Sequence, residues 1–74
     1  MEISYEAACR ASEYYCEVRA LEDADASEEQ FDKFYDEFDL RRDEHEVLTF
    51  ALESGLCDYF SADDIMTLPG VIDV

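Results

Sequence analysis

Phe31, Phe34, Tyr35 and Phe38 recur at i, i+3, i+4 and i+7. An α-helix puts four such rings on one side, because its repeat is about 3.6 residues, whereas a strand alternates every second residue. The stripe lies within Glu22–Glu46, EDADASEEQFDKFYDEFDLRRDEHE, where twelve of twenty-five residues are Asp or Glu. One segment therefore has to anchor a core and carry a dense carboxylate surface. If the rings turn inward, Glu29, Asp32, Asp36 and Asp39 are expected to form an outward row.

Start and stop signals bound this helix and its neighbours. Ser27 with Gln30 three residues on has the form of a capping box, and Glu28 and Glu29 fall in the first turn, where the helix dipole favours negative charge. Upstream, Ser4 is a candidate N-cap. Ala7, Ala11, Tyr14, Val18 and Leu21, widened by Ala8 and Tyr15, form an apolar face over roughly Ser4 to Leu21. Glu6 and Arg10 on its polar side are spaced for an i,i+4 ion pair. Downstream, Asp43 with Glu46 repeats the capping pattern for a third helix containing Val47, Leu48, Phe50, Ala51 and Leu52. Gly55-Leu56 suits a Schellman stop. Ser61 is placed to cap a short fourth helix, with Phe60 and Ile65 as a hydrophobic staple. Val71, Ile72 and Val74 form an apolar tail expected to dock on the core. The reading is one all-α domain over residues 1–74, three main helices and a short fourth, with little strand.

At 74 residues the stability margin is thin, because a short chain buries a small share of its surface. Ten aromatics and 49% hydrophobic residues nevertheless separate it from a disordered acidic tail. The formal net charge is −16, from 21 acidic residues against five Lys and Arg. Self-repulsion at that density opposes compaction. It also makes nucleic acid and anionic membranes poor direct partners, since their phosphates carry the same sign. A basic partner, a very salty cytoplasm and a general solubility role each account for tolerating the cost.

Familiar chemistry is weakly represented. Asp23, Asp25 and Ser27 open like an EF-hand loop, but Glu28 stands at the glycine position and Phe34 at the bidentate glutamate position. His45 is the lone histidine. Its neighbours Asp43, Glu44 and Glu46 point in different directions on a helix and do not converge on one ion. Cys9, Cys16 and Cys57 lack C-x-x-C spacing, and seven residues of helix separate the first two by about 10 Å, beyond a disulfide's reach. An acyl-carrier serine would need an Asp-Ser-Leu turn, and Asp25-Ala26-Ser27-Glu28 departs from it. No glycine-rich phosphate loop is present. The chain is therefore read as non-catalytic, without cofactor or metal. With no basic-then-apolar leader and no apolar run near membrane length, a cytoplasmic location is expected.

The acidic surface carries the functional expectation. Carboxylates on successive helical turns climb about 5 Å per step, and phosphates of one duplex strand climb about 3.4 Å per nucleotide. A groove that binds phosphates can accept such a helix. In size, acidity and lack of enzyme motifs, the chain resembles small phage-encoded inhibitors of host defence, the DNA-mimic anti-CRISPR and anti-restriction class. That resemblance implies a Lys/Arg-lined target on a nuclease or surveillance complex, reached in the host-cell cytoplasm. The candidate partner-binding residues are Glu28, Glu29, Asp32, Asp36, Glu37 and Asp39, with Asp43, Glu44 and Glu46 beside them. Tyr14, Tyr35 and Tyr59 are candidate interface anchors. A small accessory subunit of a basic protein and a salt-adapted acidic domain are the alternatives. The broad apolar face of the first helix leaves monomer and homodimer both open.

Overall fold

The computed structural model describes all 74 residues, Met1–Val74. In chain order the elements are β1 (Glu2–Ile3), α1 (Tyr5–Asp23), α2 (Glu28–Glu37), α3 (Arg42–Glu53), α4 (Ala62–Met66) and β2 (Ile72–Asp73). The fold is a helical bundle of three main helices and a short fourth, as the periodicity implies. Its only sheet is a two-residue parallel pairing in which Glu2 lies opposite Ile72 and Ile3 opposite Asp73.

The caps explain most boundaries. Ser4 Oγ accepts from the Ala7 N–H at 3.1 Å and opens α1. Ser27 and Gln30 form the expected box at the start of α2, with the Ser27 N–H donating to Gln30 Oε1 at 3.0 Å. Ser61 opens α4, its N–H donating to Asp64 Oδ2 at 2.8 Å. Gly55, at φ 103°, closes α3 in the Schellman geometry: the Leu56 N–H reaches the Ala51 carbonyl at 3.2 Å and the Gly55 N–H reaches that of Leu52 at 3.1 Å. The same two-bond pattern ends α1, from Ala26 to Leu21 at 3.0 Å and from Asp25 to Glu22 at 3.1 Å, but there the left-handed residue is Asp25, at φ 54°.

Three expectations are corrected. The third helix begins at Arg42, with Arg41 as N-cap, so Asp43 is already helical and does not cap it. The Arg41 N–H instead donates to Glu44 Oε1 at 3.0 Å, which makes Glu44 the reciprocal partner in place of Glu46. Arg10 pairs with Glu44 across the fold rather than with Glu6 along its own helix. The C-terminal tail docks mainly through its backbone: the Ile72 N–H donates to the Met1 carbonyl at 2.8 Å and the Val74 N–H to that of Ile3 at 3.3 Å. Val71 packs on the core, while the Ile72 and Val74 side chains remain 58% and 68% exposed.

The position of the core is the larger surprise. Its ten buried apolar residues are Ile3 of β1, Ala7, Ala8 and Ala11 of α1, Val47, Leu48 and Ala51 of α3, Phe60, and Ala62 and Ile65 of α4. Not one residue of α2 is buried. The alanines on the N-terminal half of α1 let α3 and α4 approach closely. Farther along α1, Tyr14, Val18 and Leu21 are only half-buried. The aromatic stripe of α2 does face α1, but it forms a separate layer outside the core rather than anchoring it.

Two predictions follow from this division. Ile65→Ala, which removes a fully buried side chain, should cost about 2–5 kcal/mol and unfold the chain globally in chemical denaturation. Phe34→Ala should cost less, and its loss of hydrogen-exchange protection should be confined to α2. At the end of α1, Asp25→Gly should stabilise by about 0.5–1 kcal/mol, because glycine adopts the left-handed conformation without a Cβ penalty. A thermal melt reads that shift directly.

Candidate functional site

The site is built on α2 and the surfaces beside it. Tyr14 of α1 holds the helix in place. Its ring centroid lies 5.5 Å from that of Phe34, 5.5 Å from Phe38 and 6.2 Å from Tyr35. Among the rings, Phe31 pairs only with Tyr35, at 6.3 Å. Burial among these rings, with Tyr35 adding to it, pushes the Tyr14 phenol above its ordinary value.

Arg10 is the second attachment. Its Nε donates to Glu44 Oε2 at 3.1 Å, its Nη2 donates to the Asp39 carbonyl, and its guanidinium carbon stands 4.5 Å from the Phe38 ring centroid. One side chain of α1 thus grips the end of α2, the connector and the first turn of α3. Glu44, 3% exposed, accepts from both Arg10 and the Arg41 backbone. Desolvation alone would raise its pKa. The Arg41 N–H, the Arg10 hydrogen bond and the charges of Arg10 and Arg41 outweigh that and hold the carboxyl below the usual carboxylate range.

These contacts sort the nine candidate carboxylates. At about 100° per residue, turning Phe34 and Phe38 toward Tyr14 puts Glu29, Asp32 and Asp36 on the far side of α2, with Glu28 on the adjoining flank. All four are exposed, and none has a Lys, Arg or His nitrogen within 4.0 Å. Asp39 leaves the row. α2 ends at Glu37, Phe38 is extended at φ −96°, ψ 100°, and Asp39 lies in the connector, its carbonyl engaged by Arg10. Glu37 flanks a groove rather than the outer ridge. Asp43 and Glu46 are exposed on a different helix, with Glu46 3.8 Å from Arg42. Glu44 is removed from the surface altogether, because it is consumed in joining α1 to α3.

The grooves on either side of α2 were missed by sequence reasoning. On one side, a cavity of ≈ 590 Å³ opens between α1 and α2, lined by Glu13, Cys16, Glu17, Phe34, Glu37 and Phe38. On the other, a hollow of ≈ 480 Å³ is bounded by Tyr14, Tyr35, Phe38, Asp39, Leu40 and His45. Glu13 and Glu17 sit one turn apart on α1. That spacing was visible in the sequence, but the arrival of α2 opposite them was not. Of the candidate anchor tyrosines, Tyr35 and Tyr59 are exposed and Tyr14 is half-buried. Tyr59 is committed to the fold, its hydroxyl donating to Asp23 Oδ2 at 2.7 Å.

No three His, Cys, Asp or Glu side chains gather in a way that would hold a metal ion. No helix is long and apolar enough to cross a membrane. No family model, curated protein or solved structure matches the chain.

The Arg10–Glu44 contact gives a pH-dependent prediction. The folded-state pKa of Glu44 is depressed, so its contribution is present above the unfolded carboxylate value and disappears as pH falls through the lowered one. Glu44→Ala should cost about 1–2 kcal/mol at neutral pH, toward the low end for a charge-assisted pair because Arg10 is partly exposed and screened by water. The gap between variant and wild type in urea unfolding should narrow below about pH 4.5, the ordinary value of the group.

Proposed function

We propose that the chain is a non-catalytic inhibitor whose acidic α2 stands in for nucleic-acid phosphates at a Lys/Arg-lined site, such as the groove of a nuclease or a CRISPR-type surveillance complex. The observation that carries this reading is the outer ridge of α2. Glu28, Glu29, Asp32 and Asp36 project from one helix, exposed and with no Lys, Arg or His nitrogen within 4.0 Å. Their charge is therefore free to meet an external one.

The physics of such a contact is electrostatic. From Glu29 to Asp32 to Asp36 the helix rises about 4.5 and then 6 Å, the same order as the rise of successive phosphates on one strand. A net charge of −16 draws a basic target from a distance and repels nucleic acid itself. Carboxylates held on a preformed helix need less ordering on binding than a disordered acidic tail would. Inhibition of this kind needs no bond making, only occupancy of the site that DNA or RNA would fill.

The reading makes a direct demand on two residues. The protein should displace a fluorescent duplex from its basic target, with an affinity that falls steeply between low and physiological salt. Asp32→Lys with Asp36→Lys should weaken the displacement by about a hundredfold or more, since each exchange replaces attraction with like-charge contact. The far-ultraviolet circular dichroism should stay helical, because neither side chain touches the core. Undiminished displacement by the double variant would remove α2 from the interface.

A further inference from the structure

We propose that the groove between α1 and α2 is a docking site for a basic amphipathic helix, one that seats apolar side chains on Phe34, Phe38 and Cys16 and sets Lys or Arg against Glu13, Glu17 and Glu37. The site lies on the opposite side of α2 from Asp32 and Asp36 and does not depend on the phosphate-mimic reading.

The groove is apolar at its base. Phe34 and Phe38 cover Tyr14 but remain only half-buried, and Cys16 sits beside them with its thiol donating to the Phe60 carbonyl at 3.4 Å. The opening of ≈ 590 Å³ continues along α1 past Glu17 into a second hollow of ≈ 310 Å³ that reaches Leu21, with Gln30 and the single cation Lys33 on its α2 side. From Glu13 to Leu21 this trough runs for about 12 Å of helix, enough for two turns of an incoming helix anchored at i and i+3 or i+4. Such an occupant would bury the two aromatic rings that the fold leaves half-covered.

The rim decides the chemistry of the occupant. Glu13 and Glu17 have no cation within 4.0 Å, and Glu37 meets only the exposed Lys33, at 4.0 Å. A neutral apolar helix would desolvate these carboxylates without compensating them, which costs more than the apolar contact returns. A second copy of this chain is also a poor fit. It carries the same charge of −16 and only five Lys and Arg, of which Arg10 and Arg19 already pair with Glu44 and Asp58 at 3.1 Å. A helix with an apolar stripe flanked by cations satisfies both base and rim.

The test uses the full chain and two synthetic probes of equal charge: a Leu/Lys amphipathic helix of roughly four turns and an oligolysine. The Leu/Lys peptide should shift the amide resonances of Glu13, Cys16, Glu17, Phe34 and Phe38 saturably, and should bind at least about tenfold more tightly than oligolysine. Glu13→Gln with Glu17→Gln should weaken the Leu/Lys peptide about tenfold, while Glu2→Gln with Glu53→Gln, the same change in charge elsewhere, should have a much smaller effect. Asp32→Lys with Asp36→Lys should leave the groove resonances responsive to the peptide, which separates this site from the outer ridge. Equal binding of both probes, with shifts spread over the carboxylates of α3 and α4, would overturn the proposal. So would groove shifts that track protein concentration without peptide while light scattering reports a dimer.

Discussion

Arg10 is the tie on which the arrangement of the three long helices rests. Its guanidinium serves a buried carboxylate on α3, a backbone carbonyl in the α2–α3 connector and the face of Phe38. A planar fork with several donors can meet such different partners at once, which a lysine ammonium on its flexible stem does less well. In a chain with 21 acidic residues, spending one of five basic side chains here is informative. The cation does not dilute surface charge; it neutralises the one acid, Glu44, that the fold takes out of water. Removing Arg10 would leave the Glu44 carboxylate desolvated, with only the Arg41 N–H to answer its charge.

The consequence is a molecule of two parts with unequal packing. β1, α1, α3 and α4 share a dry core built around alanines, Ile3 and Ile65. α2 rests outside it on aromatic rings and on Arg10. Helices that bury little apolar surface open locally at lower free energy than the core does. α2 is also where acids are dense and uncompensated, so its docking works against the repulsion of nearby carboxylates. The element that carries the proposed recognition surface is therefore the least firmly held of the long helices, an arrangement common among binding elements.

Local chemistry made much of this fold legible. The Ser4, Ser27 and Ser61 caps, the glycine stop at Gly55 and the 3.6-residue stripe of α2 act within a few residues, and they appear where the sequence places them. Errors arose where a residue had local and distant options together. Glu6 was the nearer partner for Arg10, yet Glu44 is buried and offers a stronger hydrogen bond away from water. Once Glu44 turned inward, it also reached the Arg41 N–H and moved the helix start ahead of Asp43. The row on α2 lost Asp39 because the chain leaves the helix at Phe38, with no glycine or proline to signal it.

By itself the sequence determined the helices, the caps of α1, α2 and α4, the side of α2 that carries Asp32 and Asp36, and the overwhelming negative charge. These follow from backbone periodicity and composition, which need no knowledge of neighbours. Only the tertiary structure decided that α2 stands outside the core, that Glu44 is a structural acid, and that Glu13 and Glu17 of α1 face Glu37 across an aromatic groove. Each of those outcomes depends on which surfaces of distant segments meet, and small alanine faces pack more closely than bulky aromatic ones. The aromatic stripe looked like the anchor of the chain because rings are the largest apolar groups it has. The alanines of α1 took that place because two helices could come close to them.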